Sequence, residues 1–316
     1  MIVIAEGDCV KKIAWIIYNP ESGKKTFQDS IKIVENRLIS IGYDITLYKT
    51  KYIGHAKRIA RASCEAHADL LVVSGGDGTV NEVINGIANA NHRPTLACLP
   101  SGTTNDFARN LGMKHSLEAN LDIIENHTQC AIDIMEGSKG YIAYVTALGN
   151  YVDISFETPS KWKRKLGFLA YLISGVRKFF TMPRIKTTIV HDDGVARGYF
   201  SLILAVNTRY VASFKLFKKT DLNDGKIDII ALKYIPFFNN ILFAAFFLLK
   251  LKRLPGMRHI KTTEATIDPI TTRRWSNDGE AGLAGKIHIK NRHRHIHVIV
   301  DESVAKTYFN GDSSNV

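Results

Sequence analysis

Along the first 130 residues the apolar positions alternate between two spacings. Lys12 to Tyr18 (KIAWIIY) is a β-rich apolar run that ends at Asn19-Pro20, which predicts a strand and a turn. From Ser30 to Ile41 the apolar residues Ile31, Val34, Leu38 and Ile41 recur at helical spacing. The alternation continues with a predicted strand at Asp44–Tyr48, a helix at His55–Ala66 and a strand at Asp69–Val73. Ser74-Gly75-Gly76 closes that strand, Val80–Ala90 reads as a helix, and Thr95–Leu99 is a strand before Pro100. This β-α order predicts a mostly parallel α/β sheet with helices on its faces.

Beyond about residue 132 the pattern changes. Ile132–Leu148, Ile185–His191, Tyr199–Val206, Lys226–Leu232, Glu264–Asp268 and Lys286–Val300 all read as strands. Only Gly167–Phe180 and Phe238–Leu251 read as helices between them. Such a run of strands predicts a β-sandwich or barrel. The expected division is an α/β domain over 1–130 and a β-rich domain over 131–302, with 303–316 able to return to the first domain. No Gly/Ser linker, internal repeat or low-complexity stretch separates the two.

Composition narrows the partners. Of 316 residues, 45% are hydrophobic and 23% charged, enough to bury cores and too apolar for a disordered tail. Lys plus Arg total 42 against 30 Asp plus Glu, a net charge of +12, which favours nucleic acid, nucleotides or acidic lipid head groups. Helix-turn-helix and RNA-binding signatures are absent, so no nucleic-acid partner is expected. The four cysteines (Cys9, Cys64, Cys98, Cys130) are scattered without a C-x-x-C pair, which suits a reduced cytosol better than a disulfide framework. There is no signal-peptide pattern at the N-terminus. The longest apolar run, Ile241–Leu249, falls short of the roughly 20 residues a membrane-spanning helix needs. His293, His295 and His297 alternate and would share one strand face, but flanking Arg292 and Arg294 read as a solvated edge rather than a zinc site.

The richest chemistry lies in Leu70–Ile87, LLVVSGGDGTVNEVINGI. A strand runs into Gly75-Gly76-Asp77-Gly78-Thr79 and a helix follows. Glycines there let main-chain N–H groups approach an anion, and the helix N-terminus adds partial positive charge. Asp77 is out of place in an anion cradle unless it holds Mg²⁺ or contacts a nucleotide hydroxyl. The alternative is a glycine-rich turn with Asp77 as a cap. The loop fits neither G-x-x-x-x-G-K-[ST] nor G-x-G-x-x-G. Two further polar loops follow predicted strands, Asn19-Pro20-Glu21-Ser22-Gly23-Lys24 and Leu99-Pro100-Ser101-Gly102-Thr103-Thr104-Asn105-Asp106-Phe107. Open α/β sheets bind ligands at the carboxyl ends of their strands, so the three loops would converge on one crevice.

GGDGTVNEV at 75–83, LPSGTTNDFARNLG at 99–112 and NPESG at 19–23 resemble the diacylglycerol kinase catalytic domain. The wider family includes bacterial lipid kinases, sphingosine kinases and ceramide kinases. The resemblance is strong over about residues 12–135 and traceable to about residue 300. It implies an α/β nucleotide-binding domain, similar to NAD kinases and phosphofructokinases, followed by a β-sandwich domain. It also implies ATP and Mg²⁺ in the cleft between them, and γ-phosphate transfer to a lipid hydroxyl. Asn19, Pro20, Ser22, Gly23, Gly75, Gly76, Asp77, Gly78, Thr79, Asn81, Gly102, Thr103 and Asn105 match positions that handle ATP. Thr50, in TKYIGHA, matches a family threonine near the nucleotide. Asp77 resembles the aspartate that orders Mg·ATP, and Asn105 and Asp106 would support that site.

Two motifs in the second half extend the resemblance. DLNDGKID at 221–228 is similar to the L-x-D-G-x-L-D segment, which in bacterial members holds a structural Mg²⁺. The ligands implied are the Asp224 carboxylate and main-chain oxygens near Asp221 and Lys226; the turn chemistry of Asn-Asp-Gly alone would predict a hairpin. SNDGEAG at 276–282 resembles the D-G-E motif, with Glu280 the first choice of base for the attacking hydroxyl and Asp278 the second. Two apart on a strand, both carboxylates would face one side, and their repulsion would raise one pKa.

The chain also departs from the pattern. Asn207 is followed by Thr-Arg-Tyr-Val-Ala-Ser where many members carry glycines, and Tyr151–Ile154 replaces a common G-F-D-A. Lys161-Trp162-Lys163-Arg164-Lys165 and Ile235–Leu254 combine basic and aromatic residues suited to an anionic membrane surface, though both could pack on the sandwich. The reading is a cytoplasmic lipid kinase, peripheral at the inner membrane face. Diacylglycerol giving phosphatidic acid is the default acceptor; a sphingoid base or another glycerolipid such as phosphatidylglycerol is next. A NAD kinase-like enzyme would account for GGDGT but not for SGTTNDFAR, and a non-catalytic sensor would not need Asp278 and Glu280. The oligomeric state, a homodimer included, stays open.

Overall fold

The computed structural model describes residues 11–22, 27–149, 183–217, 220–236, 238, 241, 245–246 and 254–309. Gly23, Tyr151–Ile154, the basic stretch 161–165, the expected helix 167–180 and most of 235–254 lie outside the described residues.

The first half is a parallel sheet built of β1 (Lys12–Tyr18), β2 (Tyr43–Lys49), β3 (Leu70–Gly75) and β4 (Thr95–Pro100), in the order β2-β1-β3-β4. β3 is buried at every position, as the continuous run LLVVS requires of a strand covered on both faces. The crossovers carry α1 (Phe27–Ser40), α2 (His55–Glu65) and α3 (Asp77–Ile87). On α2 the buried residues Ala56, Ile59, Ala60, Ser63 and Cys64 make one helical stripe. α2 meets α3 at Gly86, where a Cβ would lie 2.5 Å from the Lys57 carbonyl oxygen. Two short helices missed by periodicity follow, α4 (Asp106–Asn110) and α5 (Leu117–Glu125), the latter capped by Ser116.

The second half is antiparallel. Ile132–Leu148, expected as one strand, is three: β5 (Gln129–Gly137), β6 (Gly140–Ile142) and β7 (Val145–Gly149). The turn glycine Gly140 (φ 132°) sits so close to α3 that a Cβ would meet Asn85 Oδ1 at 2.5 Å. Next come β8 (Ile185–His191), β9 (Gly194–Val206), the small hairpin β10 (Tyr210–Val211) and β11 (Phe214–Lys215), and β12 (Ile227–Lys233). β13 (Met257–Thr262), β14 (Glu264–Ile270), β15 (Arg274–Asn277), β16 (Glu280–Ala284) and β17 (Ile287–Ile299) complete the sheet, and α6 (Glu302–Tyr308) ends the described chain.

β17 joins the halves. It pairs with β14 at one end and with β5 along its length, and it reaches β4 through the parallel pair Val298–Leu96. Two apolar cores result, one around the parallel sheet and one around Trp275, Phe200 and Ile289. Alternation on β9 feeds both: Leu202, Leu204 and Val206 face the first and Ile203 and Ala205 the second. β5 also contributes to both, with Cys130, Ile132 and Ile134 in the first and Met135 in the second.

The three histidines of β17 do not share a face. The register with β5 shifts between Arg292 and Ile296, and Arg294 takes a left-handed φ of 47°. This bulge sends His293 to the Asn223 carbonyl (2.9 Å) and His295 to the Ala88 carbonyl (2.8 Å) on α3.

Two buried carboxylates fasten these pieces. Asp133 on β5 accepts N–H bonds from Gly225 (2.6 Å) and Arg294 (2.7 Å) and the Asn291 amide (3.1 Å). It thereby holds the 221–226 loop and the β17 bulge together. Asp106, at the start of α4, accepts from the N–H of Ser213 (2.9 Å) and from that of Ala212. Ala212 and Ser213 form the two-residue β10–β11 turn at φ 51° and 69°, a conformation that normally selects glycine or asparagine. The Asp106 bonds supply what a side chain loses there. Nearby, the buried Arg209 donates to the Asn110 carbonyl and stacks its guanidinium 3.8 Å from the Tyr308 ring, tying α4 to α6.

Asp133→Ala is expected to lower unfolding free energy by on the order of 3 kcal/mol, because it orphans buried N–H groups. Urea denaturation checks it, and a change below about 1 kcal/mol would show that the hub is not structural. Burial, reinforced by the Asp77 charge, raises the Asp106 pKa above its unfolded value. The folded chain then binds the extra proton, so this contribution is full at low pH and is lost as pH rises through the folded pKa. Between about pH 5 and about pH 7.5 the wild-type chain should lose more stability than Asp106→Asn; parallel pH profiles would contradict the assignment.

Candidate active site

The sheet order places β1 between β2 and β3, so the first two crossovers leave in opposite directions and open a crevice at the carboxyl ends of β1 and β3. Three loops close on it. The Asn19 N–H bonds the Ser74 carbonyl (2.9 Å), and its side-chain amide donates to Thr79 Oγ1 (3.1 Å). The Asn19 carbonyl accepts from the Ser22 N–H (3.2 Å). The Thr50 N–H bonds the Tyr18 carbonyl (2.9 Å), which sets the end of β2 beside the Asn19-Pro20 turn.

The glycine loop turns tightly from β3 into α3. A Cβ on Gly75 would lie 2.5 Å from that of Thr79, and Gly76 stands extended as the N-cap. The loop after β4 presses directly on it: a Cβ on Gly102 would be 2.5 Å from the Gly76 Cα. Asn105, in left-handed conformation, clasps Gly102 by accepting its N–H and donating to its carbonyl, both at 2.8 Å. Asp77 binds the same loop, accepting from Thr104 Oγ1 (2.8 Å) and the Phe107 N–H (3.0 Å). A carboxylate has about four acceptor sites, so two remain free for a hard cation. Thr103 is exposed at the loop tip.

The D-G-E turn closes the crevice from the second half. Asp278 (φ 50°) and Gly279 (φ 89°) form the β15–β16 turn, so Asp278 and Glu280 do not share a strand face. Asp278 is buried, and its carboxylate accepts the N–H groups of Ala143 (2.6 Å), Tyr144 (2.9 Å) and Val145 (2.9 Å) and the Asn81 side-chain amide. Its pKa is pushed up to about 6 by burial, against these donors, and not by a neighbouring carboxylate. Glu280 is exposed, and its Oε1 lies 3.0 Å from where a Cβ on Gly78 would stand. Its carboxylate makes no hydrogen bond or ion pair to another described residue. A cavity of about 320 Å³ opens beside it, bordered by Lys57, Asn81, Glu82, Tyr141, Trp275 and Asn277.

The 221–226 segment leads into β12. Asp224 accepts from its own loop at the Lys226 N–H (3.0 Å) and pairs with Lys261 Nζ at 2.5 Å. The Lys226 carbonyl accepts from the Asn291 side chain at 3.2 Å. Each of these oxygens keeps lone pairs beyond its nitrogen donors, so the Asp224 carboxylate and the Lys226 carbonyl remain hard oxygen groups that fit Mg²⁺. Asp221 lies within electrostatic reach of Lys261. Among the described residues no cluster of three or more His, Cys, Asp or Glu side chains is arranged to hold a metal.

Sequence reasoning missed Asn85, which accepts from the Tyr141 N–H (2.8 Å) and donates to the Tyr141 carbonyl (2.8 Å), docking the β5–β6 hairpin on α3. The Asn81-x-x-x-Asn85 spacing, two amides on one helix face, was the available signal. Asp133, Asn110 and Arg209 gave none, because their partners lie far along the chain.

Comparison with known proteins bears on the family and the fold. Residues 13–136 match the diacylglycerol kinase catalytic domain. A diacylglycerol kinase of Bacillus subtilis (strain 168) is 33% identical over 304 residues, covering 93% of this chain and 98% of that one. One from Staphylococcus saprophyticus is 37% identical over 222 residues, 70% of this chain and 73% of its own length. The crystal structure of a diacylglycerol kinase from Bacillus anthracis str. Sterne superposes with a TM-score of 0.75 at 21% identity, over 93% of this chain and 98% of that one. A second structure from the same organism reaches 0.82 at 24% identity, over 96% and 100%. No helix among the described residues is long and apolar enough to cross a membrane. With an α/β half, a strand-rich second half and full-length relatives above 30% identity, the chain belongs to the diacylglycerol kinase family and is a kinase.

Proposed function

We propose that the chain transfers the γ-phosphate of ATP to a lipid hydroxyl, with diacylglycerol as acceptor and phosphatidic acid as product. The observation that carries this reading is the meeting of Glu280 with Gly78. An unpaired carboxylate from the second half stands over the glycine loop of the first. Phosphoryl transfer needs a phosphate cradle, charge neutralisation and a base within reach of the attacking hydroxyl, and little else.

The roles divide by geometry. The N–H groups of the Gly75–Thr79 loop and the α3 N-terminus cradle the phosphates, with Gly76 and Gly102 keeping side chains out of the way. Asn19, Ser22, Thr50, Gly102, Thr103, Asn105 and Asn81 border the same crevice and position the nucleotide. Asp77 anchors the second loop and offers its remaining lone pairs to Mg²⁺. Bound with the triphosphate, the ion would supply positive charge against that of the phosphates. Glu280 accepts the proton of the lipid hydroxyl. Asp278 positions Glu280 by fixing the turn and does not take the proton itself, since its oxygens are occupied and buried.

The acceptor would be met at a membrane. The net charge of +12 attracts an anionic leaflet, and Phe238 and Ile241 are 59% and 61% exposed in a segment rich in phenylalanine. A peripheral cytoplasmic enzyme fits these features.

Labelled γ-phosphate from Mg·ATP should enter diacylglycerol in mixed micelles in preference to a sphingoid base or phosphatidylglycerol. Label confined to another lipid would reassign the acceptor, and no label in any lipid with folded protein would overturn the reading. Glu280→Gln should lower kcat by roughly 10²- to 10⁴-fold with the melting temperature and ATP affinity retained. Asp278→Asn should lower activity and stability together; a stable, inactive Asp278→Asn beside an active Glu280→Gln would exchange their roles.

A further inference from the structure

Residues 49–61 carry Lys49, Lys51, Lys57, Arg58 and Arg61 and no aspartate or glutamate. Ile53, in the turn between β2 and α2, is 96% exposed, and Tyr52 beside it is 51% exposed. A lone exposed isoleucine is ordinary; one set among cations is the pattern of a surface that meets an anionic interface. Lys49, Lys51 and Lys57 make no ion pair among the described residues, and Arg58 donates to the Tyr52 hydroxyl at 2.5 Å. Exposed apolar side chains on the second half stand beside carboxylates instead. Val190 and Val195 flank the turn that carries Asp192 and Asp193, and Ile270 is two residues from Asp268.

The turn is held in place. The Glu82 carboxylate, reaching over from α3, accepts the N–H groups of Gly54 (2.7 Å) and Ala56 (3.1 Å), so the start of α2 is already capped and is not itself an anion site. The Lys51 N–H bonds His55 Nδ1 (3.1 Å), and the Tyr52 ring stacks on His55 with centroids 4.7 Å apart. Gly54 takes φ 87°, and nothing lies within 4 Å of where its Cβ would stand. Ile53 therefore projects into open space from a fixed turn, and seating it in a second phase costs little ordering.

Position adds a second argument. The turn follows a parallel strand, so it lies on the same edge of the sheet as the crevice, and the Thr50 N–H bonds the Tyr18 carbonyl beside Asn19-Pro20. A bilayer that takes Ile53 lies on the edge where the crevice opens.

We propose that the turn at 51–54 is a membrane anchor: Ile53 and the Tyr52 ring enter the head-group region of an anionic bilayer, while Lys49, Lys51 and Lys57 meet its lipid phosphates. The inference rests on the reading that the acceptor is a membrane lipid, and it names the part of the α/β half that meets the membrane.

The test is sedimentation of the full chain, without nucleotide, with vesicles of phosphatidylcholine alone and of phosphatidylcholine with phosphatidylserine. The wild-type protein is expected to sediment with the anionic vesicles, to stay in solution with the neutral ones and to be released by salt. Ile53→Asp should weaken partitioning about tenfold, and Lys49→Gln with Lys51→Gln about fivefold for each charge removed, with the melting temperature unchanged. Ile53→Leu should bind as the wild type does. So should Ile39→Asp, whose exposed side chain sits at the far end of α1, where the chain has crossed to the other edge of the sheet. Anionic binding that survives Ile53→Asp, or that falls equally with Ile39→Asp, would overturn the proposal. So would a wild-type chain that ignores both kinds of vesicle, or an Ile53→Asp protein that loses ATP affinity and keeps its vesicle binding. The readout needs no phosphate transfer. A chain that binds vesicles through Ile53 but phosphorylates no lipid refutes the kinase reading alone; one that phosphorylates diacylglycerol while Ile53→Asp still binds vesicles refutes the anchor alone.

Discussion

A carboxylate removed from water must find its donors inside the protein, and in this chain the donors lie far along the sequence. Asp133, Asp106 and Asp278 are buried, and each takes main-chain N–H groups from residues far along the chain. Leaving such a group unpaired costs more than a pair contributes, so each carboxylate tolerates few placements of its partners. Asp133 joins β5 to the 221–226 loop and the β17 bulge. Asp106 joins α4 to the β10–β11 turn. Asp278 joins the β15–β16 turn to the segment between β6 and β7 and, through Asn81, to α3. Apolar packing makes the two cores, but these bonds set how one half presents itself to the other.

That constraint reaches the crevice by short paths. Asp278 is two residues from Glu280, and its four donors fix the left-handed turn from which Glu280 projects over Gly78. Asp106 is one residue from Asn105, which clasps Gly102 against Gly76. Asp77 then ties the glycine loop to the start of the same short helix. The crevice is thus held by residues beside those that border it. Solvent-facing groups stay free because their neighbours are saturated: Asp278 has no lone pair to spare and Glu280 has no partner. The D-G-E tripeptide thus holds two carboxylates in opposite environments, Asp278 buried and saturated and Glu280 open to solvent.

Much of this was readable in the chain, for physical reasons. The parallel strands announce themselves because a strand covered on both faces must be apolar throughout, as Leu70–Val73 is. The three loops could be aligned in advance because they follow parallel strands, whose ends share one edge of the sheet. Other features left no local trace. α5 carries a good Ser116 cap, but nine residues give periodicity little to work with. The β17 bulge is invisible to an alternating pattern, since HRHIH reads as a regular strand until Asp133 draws the Arg294 N–H inward. The shared face assumed for Asp278 and Glu280 failed for the same reason: strand alternation does not survive two residues at positive φ.

One departure from the family pattern has a plain physical sense. Where glycine would let a turn take positive φ freely, this chain has Ala212-Ser213 and meets their N–H groups with Asp106. A side chain on a neighbouring element there replaces something local and independent of the rest of the fold, a glycine. A local device keeps its geometry when the surroundings loosen; a borrowed one does not. The β10–β11 turn therefore depends on α4, and that dependence runs through Asp106, one residue from the Asn105 that clasps Gly102 against Gly76.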